Sequence, residues 1–225
     1  MVARLRRPLD FLMVSDHAEY IGVFPRLMKG DPELMKTELG KRWGGYLAEN
    51  NFGLVMMEFV SAIQGAPDRQ TLPHSAQKSI WTDVAALADQ YNDPGKFTAL
   101  IGYEWTSMVR NNNLHRVVIF RDDAEMATKV VPFSALDSND PEDLWQFLAD
   151  YETEHGGQAL AIAHNGNISN GLMFANETLS GEPLTKDYAD RRARWEPLYE
   201  VTQVKGDGEA HPTLSPTDEF ADYET

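Results

Sequence analysis

Leu9-Asp10-Phe11-Leu12-Met13-Val14-Ser15-Asp16-His17-Ala18-Glu19-Tyr20 begins with a short apolar run, Phe11 to Val14, that lacks amphipathic helical spacing and stops abruptly on Ser15, Asp16 and His17. A buried parallel strand has this pattern when it delivers polar side chains to the mouth of an α/β sheet or barrel. Ligands and catalytic groups of such folds collect at the carboxyl ends of the strands. Other strands of this chain are therefore expected to end in the same way.

Two do so in the sequence. Phe97 to Tyr103 reads as a strand that ends on Glu104-Trp105-Thr106, and Ala159 to Ala163 as one that ends on His164-Asn165-Gly166-Asn167. Polar Arg110 to Asn113 reads as a loop, after which His115 opens a strand through Phe120; the pair is predicted to form a hairpin, which makes Glu104 and His115 neighbours. A last strand is predicted over Pro197 to Val201, followed by a loop over Lys205 to Glu209.

Helices are predicted between these strands. Asn51 to Gln64 repeats Phe52, Val55, Met56, Phe59, Val60 and Ile63 at three and four residues, and Ser75 to Tyr91 places Ile80, Val84, Leu87 and Tyr91 on one face. Asp140-Pro141-Glu142-Asp143 is a helix start, with Leu144, Phe147, Leu148 and Tyr151 as the buried face and Gly156-Gly157 as the stop. Gly22 to Gly30 reads as a loop, and Glu177 to Arg194 as part helix.

With 225 residues, 42% of them hydrophobic, the chain can bury one sizeable core, and a single domain over 1–225 is expected, with 211–225 as a mobile tail. No cysteine is present, which excludes disulfides, thiolate metal sites and cysteine nucleophiles. Any metal must then be held by His, Asp and Glu, donors that suit zinc, manganese or iron. The net charge of -15 argues against nucleic acid or an anionic membrane as partner. A small anionic substrate requires a local cation, such as a bound metal, to reverse the sign at the site. No apolar run approaches the roughly 20 residues of a bilayer-spanning helix, and the basic start lacks a signal-peptide pattern. A soluble protein, cytoplasmic or periplasmic, is expected; the oligomeric state is not encoded.

Asp16, His17, Glu104, His115 and His164 thus form a set of nitrogen and oxygen donors that an α/β barrel would bring to one rim. Such a set matches a hydrolytic metal centre, which activates bound water and neutralises charge on a scissile phosphoryl or carbonyl group. Structural alternatives stand beside each residue: Glu104 paired with Arg110 or Arg116, His115 as a surface strand residue, His17 as a hydrogen-bonded loop residue.

On these motifs the chain resembles the PHP superfamily, named for its polymerase and histidinol phosphatase domains. Ser15-Asp16-His17 is similar to its Thr/Ser-Asp-His motif, Gly102-Tyr103-Glu104 to its Gly-x-Glu motif, Leu114-His115-Arg116-Val117 to the histidine that opens the next strand, and His164-Asn165 to its strand-end His pair. The closest likeness is to an uncharacterised branch, a domain-of-unknown-function family. The resemblance implies an incomplete, distorted (β/α)7 barrel lacking its first and last strands, and a metal-dependent phosphoesterase with two or three divalent ions in its complete site. It implies His17, Glu104, His115 and His164 as metal ligands and Glu104 as a bridge. Asp16 is implied as a ligand or as a partner of the His17 imidazole, so that Asp16 and Glu104 carry the catalytic roles. Glu200 matches a polar position of that branch, and Arg116, Asn165 and Lys205 are candidate contacts to a substrate anion. The family's opening His-x-His and closing Asp-x-His motifs are absent, so the chain reads as the middle of a longer protein. A metal-dependent amidase or lactonase is the rival reading within enzymes. A non-catalytic module with a partial metal site is the rival outside them.

Overall fold

The computed structural model describes residues 6–66, 69–207, 213, 216 and 217. In chain order the elements are β1 (Phe11–Met13), α1 (Val23–Met28), α2 (Glu38–Ala48), α3 (Phe52–Ile63), α4 (His74–Tyr91), β2 (Thr98–Trp105), β3 (Met108–Val109), β4 (Asn112–Asn113), β5 (Arg116–Phe120), α5 (Ala124–Ala127), α6 (Pro141–His155), β6 (Ala159–Ala163), α7 (Lys186–Trp195), β7 (Leu198–Tyr199), β8 (Thr202–Gln203) and β9 (Gly206–Asp207).

Five strands form one sheet in the order β1-β2-β5-β6-β7, curled into a half-barrel. β1 runs parallel to β2 and β6 parallel to β7, whereas β5 is antiparallel to both of its neighbours. Four strands therefore bring their carboxyl ends, and β5 its amino end, to the same rim. The chain turns between β2 and β5 through the small β3–β4 hairpin, whose two central residues, Arg110 (φ 53) and Asn111 (φ 63), are left-handed as the twist of a two-residue hairpin turn requires.

The ladder register sorts the sheet into two faces. Trp105 pairs with Arg116 and Arg116 with Ala163, while Glu104 pairs with Val117 and Val117 with Ile162. Side chains alternate along each strand, so Tyr103, Trp105, Arg116, Val118, Phe120, Ala161 and Ala163 share one face, and all are buried. Trp81 and Ala85 of α4 and Leu144, Leu148 and Tyr151 of α6 are buried in the same core. Trp81 meets Tyr103 edge-on at 5.9 Å, and Tyr151 meets Phe120 at 5.1 Å. The opposite face, with Val117, Ile119, Leu160 and Ile162, is only half-buried.

Helix α6 starts as its sequence dictates: the Asp140 carboxylate caps Glu142 N–H at 2.9 Å, Pro141 occupies the first turn, and Gly156 closes the helix at φ 72. Three expectations are corrected. β1 is parallel as expected but not buried: Phe11, Leu12 and Val14 are 66%, 46% and 63% exposed, because among the described residues it is an edge strand, paired with β2 alone. Gly22 to Gly30 contains helix α1, where Val23 and Leu27, four residues apart, are buried on one face. In α4 the buried face is Ile80, Trp81 and Ala85, leaving Leu87 and Tyr91 exposed. Lys205 to Asp207 belong to the β8–β9 hairpin, while Gly208 and Glu209 and the expected tail, apart from residues 213, 216 and 217, lie outside the described residues.

Candidate metal centre

Glu104 is the hub. It lies on β2 two residues beyond Gly102, where any side chain would collide with the Met13 sulfur and the Val118 carbonyl. The glycine leaves room for the Met13 side chain over β2, and the parallel pairing resumes beyond β1: Glu104 N–H donates to the Asp16 carbonyl and Ala18 N–H to the Glu104 carbonyl, each at 2.8 Å. This bridge sets His17 beside Glu104.

His115 and His164 arrive from the next two strands. His115 precedes β5 and alternates with Arg116, so it shares the half-buried face with Glu104; its N–H donates to Asn113 Oδ1 at 3.1 Å, which fixes the backbone there. His164 follows β6, with its N–H donating to the His115 carbonyl at 3.3 Å. The next residue, Asn165, is left-handed at φ 58, and at Gly166 a side chain would strike the Tyr199 hydroxyl. The Glu200 carboxylate accepts from Asn165 N–H at 3.0 Å and from Gln203 Nε2 at 3.1 Å, while Gln203 also donates to Asn165 Oδ1. The turn carrying His164 is thus tied to the start of the β8–β9 hairpin.

Glu104 Oε1 lies 2.6 Å from His115 Nδ1 and 3.0 Å from His164 Nε2, and Oε2 lies 3.5 Å from His17 Nδ1. The His17 and His115 rings are 6.0 Å apart, and those of His115 and His164 are 5.7 Å apart. His115 and His164 are buried, whereas the His17 side chain is 44% exposed. Burial alone would raise the Glu104 pKa, but the hydrogen bonds from His115 and His164 outweigh it and hold the carboxyl well below the usual range. Burial outweighs Glu104 at His115 and lowers the imidazole pKa, so the pair is a carboxylate beside a neutral imidazole. Those are the protonation states in which both residues ligate a cation.

The donor set fits a divalent metal. Among the described residues, Glu104, His115 and His164 each offer an atom within 4.8 Å of the others. His115 Nε2 and His164 Nδ1 are buried without a hydrogen-bond partner, an arrangement that costs stability unless something else satisfies them.

The other predicted residues lie elsewhere. Asp16 alternates with His17 along the strand direction and lines a groove with Leu12, Val14, Leu87 and Tyr91, away from Glu104. Arg116 is not a substrate contact: it points to the helix-covered face, where Nε donates to Glu196 Oε1 at 2.8 Å and a terminal nitrogen to the Leu114 carbonyl at 2.5 Å. The odd–even register, not its charge, decides its side. Asn165 is buried at the base of the His164 turn, with Nδ2 lacking a partner. Lys205 is exposed in the β8–β9 turn, its carbonyl accepting from Asn167 Nδ2 at 3.2 Å.

Sequence reasoning missed two residues. Thr106 Oγ1 lies 2.6 Å from His17 Nδ1, and the buried Glu19 carboxylate accepts from Ala135 N–H at 2.6 Å and Thr106 N–H at 3.3 Å. A signal existed for Thr106, which stands two residues after Glu104 and so inherits its face.

A family model described as "Protein of unknown function (DUF3604)" matches residues 1–225. No curated protein and no solved structure matches the chain.

Proposed function

We propose, for a chain that belongs to the DUF3604 family, the function of a metal-dependent hydrolase acting on phosphoesters, on a half-barrel that forms part of a PHP-type barrel. The observation that carries this reading is the convergence of His115 and His164 on one oxygen of Glu104, at 2.6 and 3.0 Å, with the remaining nitrogen of each ring buried and unpartnered. His17, Glu104, His115 and His164 would hold zinc, manganese or iron. Such an ion, when bound, supplies Lewis acidity and a water of lowered pKa.

The chain's own residues prepare that site. Glu104 places an ionised carboxylate between imidazoles, and His115 stays neutral and free to coordinate. Glu200 and Gln203 fix the turn that presents His164. Half-buried Val117 and Ile162 pair beside Glu104 and form an apolar floor, where electrostatic interactions are stronger than in bulk water. Asn165, through its unpartnered amide, and Lys205, in the hairpin that touches Asn165 and Asn167, remain the candidates for a substrate anion. Arg116 is withdrawn from that role, and Asp16 from catalysis, since neither faces Glu104.

The test is zinc and manganese titration calorimetry together with turnover of phosphomonoesters, amides and lactones, on wild type, Glu104→Ala and His164→Ala. Metal-dependent phosphomonoester hydrolysis that both substitutions abolish is the expected result. Activity retained in both variants overturns the proposal. Turnover confined to amides or lactones transfers the same site to the carbonyl reading, and tight metal binding without any turnover identifies a binding module.

A further inference from the structure

A cavity of about 260 Å³ opens between α2, α3 and the residues Ala66, Arg69 and Gln70, and none of the proposed metal ligands lines it. Its floor is apolar and aromatic: Leu39 and Trp43 of α2 are 1% exposed, and Tyr20 and Ala62 are buried. The Tyr20 ring meets Trp43 edge-on at 4.8 Å, and the Tyr20 hydroxyl donates to the Gln70 carbonyl at 2.6 Å. Exposed Leu54, Met57 and Ser61 of α3 stand on its solvent side.

Two guanidinium groups, Arg42 and Arg69, line this cavity together with one carboxylate, Glu58. Glu58 is engaged on both oxygens. Its Oε2 accepts from Trp43 Nε1 at 2.8 Å and lies 3.2 Å from Arg42 Nε, while Oε1 accepts from the Tyr46 hydroxyl at 3.2 Å. Arg69 is held differently: its terminal nitrogens donate to the Ala66 and Leu136 carbonyls at 3.5 and 3.2 Å, and among the described residues no carboxylate is paired with it. Carbonyls orient a guanidinium without neutralising it. With 35 acidic residues against 20 lysines and arginines in the chain, a half-buried arginine that faces a cavity instead of an acid leaves a local positive charge.

That charge sits above an apolar floor. A guanidinium fork is matched to an oxyanion, and a pocket with aromatic and aliphatic walls accepts the body attached to it. The lining also selects the anion. Arg42 and Glu58 offset each other, so one negative charge balances Arg69, whereas the dianion of a phosphomonoester would set surplus negative charge beside Glu58.

We infer that this cavity is a binding site for a small carboxylate with an apolar body, its head on Arg69 and Arg42 and its body against Trp43 and Leu39. The inference goes beyond the proposed hydrolase and uses none of its metal ligands, so the two stand or fall separately.

The test titrates phenylacetate into the full chain, kept metal-free by a chelator so that no carboxylate is held at Glu104 and its histidines. Proton–nitrogen spectra follow the Trp43 indole N–H, which lies in the cavity wall, and calorimetry gives the affinity. A saturable shift of that resonance is expected, with a dissociation constant of about 1 mM or tighter, the scale for a ligand of this size. Phenylacetamide, neutral and of the same shape, and phenyl phosphate should each bind about tenfold more weakly, as should phenylacetate to Arg69→Gln. Met57→Glu, at a solvent-facing position that folding tolerates, should weaken phenylacetate by repulsion and decides the matter even if Arg69→Gln fails to fold. An unmoved Trp43 resonance in wild type overturns the inference. So does equal binding of the amide, tighter binding of phenyl phosphate, or wild-type affinity in a folded Arg69→Gln or in Met57→Glu.

Discussion

Arg116 and Glu196 form an ion pair sealed from water, with side chains 2% exposed on both sides. Glu196 also accepts from Trp145 Nε1 at 2.8 Å and Arg192 Nε at 3.1 Å, and the Arg116 guanidinium lies 5.7 Å from the Trp105 ring centre. Removing one member of such a pair strands the other charge, at a cost of about 3–5 kcal/mol. Glu196→Gln should therefore lower unfolding free energy by about that much in urea titrations at neutral pH, with zinc affinity unchanged, because the pair lies on the face away from Glu104. Burial acts to raise the Glu196 pKa, but the two arginines outweigh it and lower the value. For a lowered acid, the stabilisation is complete above the unfolded value of 4.5 and is lost as pH falls below it toward the folded value. The difference between wild type and the variant should accordingly shrink in acid. At this scale the cluster of Glu104, His115 and His164 was legible because Glu104 and His164 stand where an apolar run stops and His115 where one begins. Arg116 was not, since its partner lies 80 residues away in sequence and a one-residue parity decides which face it takes.

Elements were legible where local chemistry and burial agree. For α6, cap, proline, apolar face and glycine stop all point the same way, and the helix forms as read. Asp140→Ala should cost about 1 kcal/mol in chemical denaturation and leave zinc binding intact, since the cap satisfies a backbone N–H remote from Glu104. β6 forms over the expected Ala159–Ala163, and β5 begins one residue after His115. The strand over Phe11 to Met13 is the instructive miss. Its apolar run correctly signalled a strand parallel to its neighbour, but a continuous apolar run does not tell a central strand from an edge one. Helix α1 was missed because six residues flanked by glycines carry too little periodicity, and only tertiary burial of Val23 and Leu27 makes the helix visible.

Across the whole molecule, a charge of -15 opposes the approach of an anion, while the same charge favours a divalent cation. Among the described residues no helix is long and apolar enough to cross a membrane. A ligand that binds only the folded state stabilises it by about 2.7 kcal/mol at one hundred times its dissociation constant. Zinc or manganese at that excess should therefore raise the thermal midpoint by several degrees, and a chelator should reverse the rise. Glu104→Ala should abolish the shift, and a shift that persists in that variant would place the ions elsewhere on the acidic surface.

The reversed strand in the middle of the sheet has a kinetic consequence. Because β5 returns antiparallel to β2, Glu104 and His115 sit on the two arms of one short excursion, 11 residues apart. Their meeting is a local encounter, reached by closing a small loop, whereas His164 is 60 residues from Glu104 and waits for β6 to dock. Two members of the candidate cluster are thus near neighbours in sequence, and the loop-closure entropy that opposes their meeting is the smaller one.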